Sequence, residues 1–139
     1  MRIYILALFI VLVNSVFSQN SEWTVYKTVN GIDVLYKQVD CITDQAPSQV
    51  AYLIKLDNKT ANEVVVSWDL SVWYNNEKLS HDVADGENHY SVKLSANQSQ
   101  EGNCETPYGP LYIFKDFITY VSPTKLTRFE LENLTVINN

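Results

Sequence analysis

Apolar and polar residues alternate along most of this chain, and the alternation is clearest in Glu63–Tyr74, EVVVSWDLSVWY. Successive side chains of a β-strand point to opposite faces, so this pattern predicts one buried face and one mostly hydrated face. The β-branched and aromatic content favours the same assignment. Trp73 falls on the hydrated face, among Ser67, Asp69 and Ser71. The predicted buried face holds Val64, Val66, Trp68, Leu70, Val72 and Tyr74.

A hairpin is predicted around Asn30-Gly31, between strands 23–29 and 32–39. Asn-Gly is a preferred centre for a type I′ turn, because both central residues of that turn need positive φ. The turn sets Val29 opposite Ile32, and this register fixes which residues share a face. The apolar face predicted in this way holds Trp23, Val25, Val29, Ile32, Val34 and Tyr36, with Tyr26 and Leu35 on the other face.

Further strands are predicted where the alternation returns, at 50–57, 89–95, 111–120 and 126–137. Turn-forming residues fill 57–62, so strand 50–57 is predicted to form a hairpin with 63–74, which becomes the central strand. A slip in the alternation at Glu132-Asn133 predicts a β-bulge. About seven strands joined by turns, with no helical period, predict an all-β, antiparallel β-sandwich.

Residues 1–18 have the pattern of a signal peptide. Arg2 supplies a positive start, and Ile3–Val13 is an unbroken apolar run of 11 residues. That run is shorter than the ~20 residues of a membrane span, although an uncleaved anchor remains an alternative. Cleavage is predicted after Ser18, which leaves residues 19–139 as a single β-sandwich domain with no transmembrane segment. The predicted location is secreted or periplasmic.

The segment Val50–Trp68, VAYLIKLDNKT followed by EVVVSW, resembles the central hairpin of immunoglobulin-like or fibronectin-like exported domains. The order Cys41, Trp68, Cys104 is similar to the order of cysteine and tryptophan in an immunoglobulin domain. As a whole, the chain resembles the small exported immunoglobulin-like β-sandwich proteins of Bacteroidota. This resemblance implies an immunoglobulin-like or fibronectin-like sandwich and no particular activity.

The two cysteines and the charge add to this picture. An even pair in an exported chain predicts a Cys41–Cys104 disulfide, with two free thiols as the alternative. The formal net charge is −6 at pH 7. An acidic chain is a poor binder of nucleic acid or anionic membranes, because phosphate contacts need Lys and Arg.

A metal site is one hypothesis for the acidic loop 75–89. Asp82, Asp85 and Glu87 carry oxygen ligands in the order D-x-x-D-G-E, which is distantly similar to a calcium loop. The spacing matches neither an EF-hand nor a zinc site, so a hydrated acidic loop is the alternative interpretation. The loop is also a candidate site for a small ligand.

Catalysis and a cofactor are not expected. The chain has no Gly-x-Ser-x-Gly elbow and no glycine-rich phosphate loop, and the cysteines are better used in a bridge. An uncharacterised hydrolase is kept as a further alternative, and it would require a concave pocket with convergent polar groups.

Aromatic residues favour recognition instead. Trp73, Tyr74 and Tyr108 lie near strand ends or in loops, where such side chains give rigid contact area and a polar tip. The alternative for Trp73 is structural, with its ring packed under the 75–88 loop or against a second core layer. The leading hypothesis is therefore a binding module for a protein or a cell-surface glycan.

Three segments match the N-glycosylation pattern, which is relevant only in a eukaryotic host. They are Asn58-Lys59-Thr60, Asn97-Gln98-Ser99 and Asn133-Leu134-Thr135.

Overall fold

Two antiparallel β-sheets make up the computed structural model, which describes residues 22–44, 46–79 and 88–138. The predicted signal peptide and its cleavage site lie outside these residues. The described strands confirm the predicted all-β, antiparallel fold class. They are β1 (Thr24–Val29), β2 (Ile32–Cys41), β3 (Gln49–Asn58), β4 (Val64–Tyr74), β5 (Glu77–Lys78), β6 (His89–Leu94), β7 (Ser99–Glu101), β8 (Tyr112–Phe117) and β9 (Leu126–Asn138).

Sheet A has the order β1-β2-β3, with β7 and β8 both paired to β3. β7 pairs with Lys55–Asp57 and β8 with Gln49–Leu53, so together they run along β3 like one interrupted strand. The interruption is a loop, 102–111, whose two ends meet at Ile54. The Gly102 amide donates to the Ile54 carbonyl at 2.9 Å, and the Ile54 amide donates to the Leu111 carbonyl at 2.9 Å.

Sheet B is built around β4. β9 pairs with β4 from Val64 to Tyr74, and β6 and β5 also pair with it. The central position predicted for this strand is therefore confirmed, but its predicted hairpin with strand 50–57 is wrong. β3 belongs to Sheet A, and residues 59–63 carry the chain from one sheet to the other.

Asn58 explains why the chain leaves Sheet A instead of forming a hairpin. Its side chain is only 1% exposed, and its amide group donates to the carbonyls of Asn62 and Ser95, each at 2.9 Å. Its Oδ1 accepts from the amide and hydroxyl of Thr60. These bonds fix an inter-sheet connection that turn propensity alone does not distinguish from a hairpin.

The first hairpin has the predicted turn and, on β2, the predicted apolar face, but the faces of β1 differ from the prediction. Val29 lies opposite Ile32, and Asn30 and Gly31 have φ of 48° and 78°. A β-bulge between Val25 and Lys27 then shifts the register. It leaves Val25 60% exposed and packs Tyr26 against the core, the reverse of the prediction. Trp23 also departs from the predicted face, because it packs on the outer side of Sheet A.

The core lies between the sheets, and Trp68 is its largest fully buried side chain, at 1% exposure. A second, smaller apolar layer covers the outer face of Sheet A. The predicted bulge in β9 is confirmed by a register shift opposite Ser67–Asp69 and by a φ of 52° at Asn133. The second layer consists of Cys41, Ala51, Leu53 and Tyr112, with Trp23, Val39, Cys104 and Phe114 packed against it.

The strand predicted at 111–120 is shorter in the structure, because Ile118 begins a bent segment after β8. Its two apolar faces serve two layers: Leu111 and Ile113 enter the core, whereas Tyr112 and Phe114 join the outer layer. Within the described ranges, none of the chain forms a helix with the length and hydropathy needed to cross a bilayer.

Candidate binding surface

The loop 102–111 is held at several points. Its ends meet at Ile54, and the predicted disulfide joins Cys104 to Cys41 at the end of β2, with the two Cα atoms 5.4 Å apart. The alternative of two free thiols is therefore wrong. Inside the loop, Asn103 Oδ1 accepts the backbone amides of Glu105 and Thr106, each at 2.9 Å. The loop backbone is therefore held at both ends and at two points inside it.

Tyr108 projects from this loop. It is 69% exposed, and its backbone has a φ of 66°, a region that side-chain-bearing residues rarely occupy. Gln49 supports it from below: Gln49 Nε2 donates to the Tyr108 hydroxyl at 3.3 Å, and Gln49 Oε1 accepts from the buried Tyr112 hydroxyl at 2.7 Å. The Tyr108 and Tyr112 rings meet edge to face, with centroids 6.1 Å apart.

Further exposed apolar side chains lie at the end of β8, where the strand register begins beside Gln49. Gln49, which supports Tyr108, lies opposite Phe117 in the strand register. The Phe117 ring stacks on Tyr120, with centroids 4.3 Å apart. Val121 is 89% exposed, and Ile118 and Tyr120 are also exposed. We refer to Tyr108, Phe117, Ile118, Tyr120 and Val121 as the Tyr108 surface.

Tyr74 faces inward near the same strand. Its hydroxyl donates to the Phe114 carbonyl at 3.3 Å, and its ring packs against the core. Burial raises the pKa of the Tyr74 hydroxyl, with a smaller contribution from the nearby Tyr108 phenol. Burial likewise raises the pKa of Tyr112, again with a smaller contribution from Tyr108. Tyr74 thus helps to build the region without offering an exposed ring.

The edge of β8 has its backbone groups partly occupied. The Phe114 carbonyl accepts from Tyr74, the Tyr112 amide donates to the Gly109 carbonyl, and the Phe117 amide donates to the Asp116 carboxylate. A bulge further interrupts the strand opposite Val50–Ala51. Such features discourage the addition of another strand, so side chains are the means of contact available here.

Trp73 lies on the outer face of Sheet B, away from Tyr108. Its register partners are Lys78 on β5 and Arg128 on β9. Lys78 Nζ lies 5.1 Å from the ring centroid and the Arg128 guanidinium carbon 4.4 Å from it. Both contacts are cation–π interactions, so the ring is covered by its strand neighbours. The structure therefore does not bring Trp73 together with Tyr74 and Tyr108.

The predicted metal ligands Asp82, Asp85 and Glu87 lie outside the described residues, so the metal or small-ligand site stays a prediction. Among residues 22–44, 46–79 and 88–138, no three acidic, His or Cys side chains form a group able to hold an ion. His89, at the end of that loop, places Nδ1 2.7 Å from Asp69 Oδ1.

A cavity between the sheets is a feature that the sequence did not predict. Its volume is about 250 Å³, and four aromatic side chains surround it. Tyr26 reaches it only because of the bulge in β1, which breaks the alternation without a Gly or a turn signal in the sequence. The lining consists of Tyr26, Tyr36, Tyr52, Leu126, Thr127, Arg128 and Phe129.

The three glycosylation patterns lie in different environments. Asn58 is buried, and its amide nitrogen already donates to two carbonyls, so it is inaccessible in the folded chain. Asn97 and Asn133 are both exposed. The Asn133 amide group donates to Asp69 Oδ2 at 2.7 Å, which leaves Asn97 as the more available position.

Comparison with protein families, curated proteins and solved structures found no match for this chain. The likeness to small exported immunoglobulin-like proteins of Bacteroidota therefore stays a prediction. The two candidate sites in the described part of the chain are both aromatic, one on the Tyr108 surface and one in the cavity between the sheets.

Proposed function

We propose that the protein is a secreted or periplasmic binding module whose Tyr108 surface contacts a protein or a cell-surface glycan, without catalysis. The observation that carries this proposal is Tyr108 itself: a large, exposed aromatic side chain at a backbone position with a φ of 66°. The disulfide supports the location, because such bonds persist in oxidising compartments.

The backbone at Tyr108 argues for a role beyond stability. A residue other than glycine in this region of φ destabilises the fold by roughly 1 kcal/mol or more. Gly or Asn would adopt the same conformation more easily. Residues in such conformations cluster at binding and catalytic sites. An exposed tyrosine at this position therefore favours the interpretation that Tyr108 contacts a binding partner.

The supports around Tyr108 favour binding for a second reason. The two hydrogen bonds at Ile54, the Cys41–Cys104 bridge and the Gln49 side chain all hold the loop before any partner arrives. A pre-organised surface loses less conformational entropy on association than a free loop does. Tyrosine is also among the residues that most often dominate the binding energy of an interface.

Replacing Tyr108 tests the proposal. Tyr108→Gly removes the ring and relieves the backbone, so the stability is expected to stay the same or rise by about 1 kcal/mol. Binding is expected to fall at least ~30-fold, the effect of losing an interface residue worth about 2 kcal/mol. The measurements are urea unfolding, a glycan array, and cross-linking of the protein to its own cell envelope followed by mass spectrometry.

Ile137→Thr provides the matched control, because Ile137 is another exposed apolar side chain, located on β9. This variant is expected to keep the partners and glycans of the wild type. The proposal is wrong if Tyr108→Gly retains the same cross-linked partners and the same glycan signals as Ile137→Thr.

A further inference from the structure

We infer that the cavity between the sheets binds one ring of an acidic sugar, with the ring against the tyrosines and its carboxylate directed to Lys115. This site is separate from the Tyr108 surface and goes beyond the function proposed above. It rests on the shape of the cavity, the chemistry of its lining and the surroundings of one lysine.

The size of the cavity suits a single ring. Its volume of about 250 Å³ is below the 300–1,000 Å³ that is usual for drug-sized ligands. The aromatic walls are packed firmly: the Phe129 centroid lies 5.9, 5.6 and 5.2 Å from those of Tyr26, Tyr36 and Tyr52. The Tyr26 hydroxyl also accepts the Leu131 amide at 3.0 Å, which ties Sheet A to Sheet B beside the cavity. These contacts join the walls to one another and to both sheets.

The lining combines flat apolar surface with hydroxyl groups. Three of the four rings are tyrosines. Thr127 also belongs to the lining, but its hydroxyl already donates to the Trp73 carbonyl and accepts from the Asn76 amide. A sugar ring has the matching surfaces, since its C–H face packs on aromatic rings and its hydroxyl groups form hydrogen bonds. A purely apolar ligand would not use the hydroxyl groups of Tyr36 and Tyr52, and burial would leave those groups without partners.

Lys115 supplies the charge preference. Its Nζ lies 5.1 Å from the centroid of Tyr52, one wall of the cavity, and donates to Gln38 Oε1. Both of these contacts are with uncharged groups. Five other lysines, in contrast, each form an ion pair with a carboxylate: Lys55, Lys59, Lys78, Lys93 and Lys125.

The remaining charges at the cavity agree with an acidic ligand. Arg128 belongs to the lining, but its guanidinium is already paired with Glu130 and covers Trp73. The residues that line the cavity include no carboxylate. An organic cation would find only the aromatic rings as partners and would be repelled by Lys115, whereas a carboxylate would find a charged partner.

Sugar titrations followed by NMR test this inference. The probes are glucuronate and galacturonate, with glucose and galactose as neutral counterparts and acetate as a carboxylate without a ring. We expect the uronates to shift the ring signals of Tyr36, Tyr52 and Phe129, and to bind at least ~10-fold more tightly than the neutral sugars. Added salt should weaken uronate binding, because the contact is partly electrostatic.

Two variants test whether Lys115 supplies the positive charge that binds the uronate carboxylate. Lys115→Gln keeps hydrogen-bonding capacity but removes the charge, so it should bind uronates only as well as neutral sugars. Lys37→Gln is the matched control and should bind like the wild type, because Lys37 also covers an aromatic ring, Trp23 at 4.4 Å, but on the outer face of Sheet A.

Several outcomes would overturn the inference. These are no shift with the uronates, equal affinity for neutral sugars, equal affinity for acetate, no effect of salt, or equal uronate binding by wild type and Lys115→Gln. Tyr108→Gly should leave uronate binding unchanged, so failure at this cavity is distinguishable from failure of the Tyr108 surface.

Discussion

The outer faces of the two sheets differ in the side chains that they carry and in how far those side chains contact water. On Sheet B, polar side chains pair across strands: Ser67 with Ser91 at 3.1 Å, and Asp69 with both His89 and Asn133 at 2.7 Å. On Sheet A, the outer face carries the second apolar layer, and the bridged loop 102–111 joins it through Cys104. The outer face of Sheet B is polar and contacts water, whereas the outer face of Sheet A is apolar and is covered by loop 102–111.

This difference locates the exposed aromatics. An antiparallel sheet commonly has one face in the core and one in water, and Sheet B follows that rule. Sheet A buries side chains on both faces, so the loop that covers its outer face has an apolar underside, including the Cys104 sulfur. Tyr108, at the top of that loop, is where the second layer reaches solvent. The binding surface that we propose is thus an extension of a covered core layer.

Removing the Cys41–Cys104 disulfide should have the largest effect on this difference between Sheet A and Sheet B. The two cysteines are 63 residues apart, and the chain-entropy model gives such a closed loop about 4 kcal/mol of stability. Cys41→Ala combined with Cys104→Ala should lower the free energy of unfolding by up to that amount. Hydrogen exchange should accelerate in loop 102–111 and in β8, as measured by mass spectrometry, because the cover of Sheet A is released.

Sheet B provides the internal control for this variant. Hydrogen exchange in β4 and β6, the strands that carry Ser67 and Ser91, should change only as much as global stability changes. Equal local acceleration on both sheets would show that the bridge has no particular role in covering Sheet A.

Gly102→Ala should have the next largest effect. A Cβ at Gly102 would lie 2.1 Å from the Leu111 carbonyl oxygen, so the backbone would have to move at the point where the loop begins and ends. Overpacking of this kind typically destabilises by about 1–3 kcal/mol. Gly109→Ala is the matched control in the same loop, because its Cβ would meet its nearest atom, the Thr106 carbonyl oxygen, at 3.4 Å. Similar urea midpoints for the two variants would contradict this account of the loop.

Local patterns predicted the features that depend on few residues. The Asn30-Gly31 turn, the bulge near Asn133 and the alternation in β4 and β6 all follow from the chemistry or spacing of neighbouring side chains. The disulfide followed from the count of cysteines. Each of these signals is contained within a short segment or a single pair, which is why it could be seen without a structure.

Those local patterns could not predict features that depend on contacts between residues far apart in the sequence. Nothing local shows that β3 and β4 belong to different sheets, since the four hydrogen bonds of Asn58 depend partly on Ser95, far along the chain. The bulge that turns Tyr26 inward is likewise fixed by contacts with Phe129 and Leu131 on the other sheet. The cavity depends on that bulge, and it was therefore missed.

Asp69 on Sheet B should give the smallest effect and the clearest dependence on pH. Hydrogen bonds from Asn133 and then His89 lower the pKa of this carboxyl below its ordinary value of 3.8. A lowered folded pKa contributes stability above the unfolded pKa and loses it as pH falls through the folded pKa. Asp69→Asn should therefore lower the free energy of unfolding by about 0.2–1 kcal/mol at pH 7, because the group is partly exposed and screened.

That difference should shrink as the pH falls below about 4, because the carboxyl of the unfolded chain then begins to bind a proton, and it should disappear as the folded carboxyl also becomes protonated. Urea unfolding of wild type and Asp69→Asn at pH 7, 5 and 3 measures it, with Ser67→Ala on the same face as the control that carries no ionisable group. If Asp69→Asn destabilised as strongly as Gly102→Ala, or by the same amount at pH 3 as at pH 7, the outer face of Sheet B would not be a set of weak, independent surface pairs. The polar network would then contribute as much to stability on Sheet B as the bridged loop contributes on Sheet A.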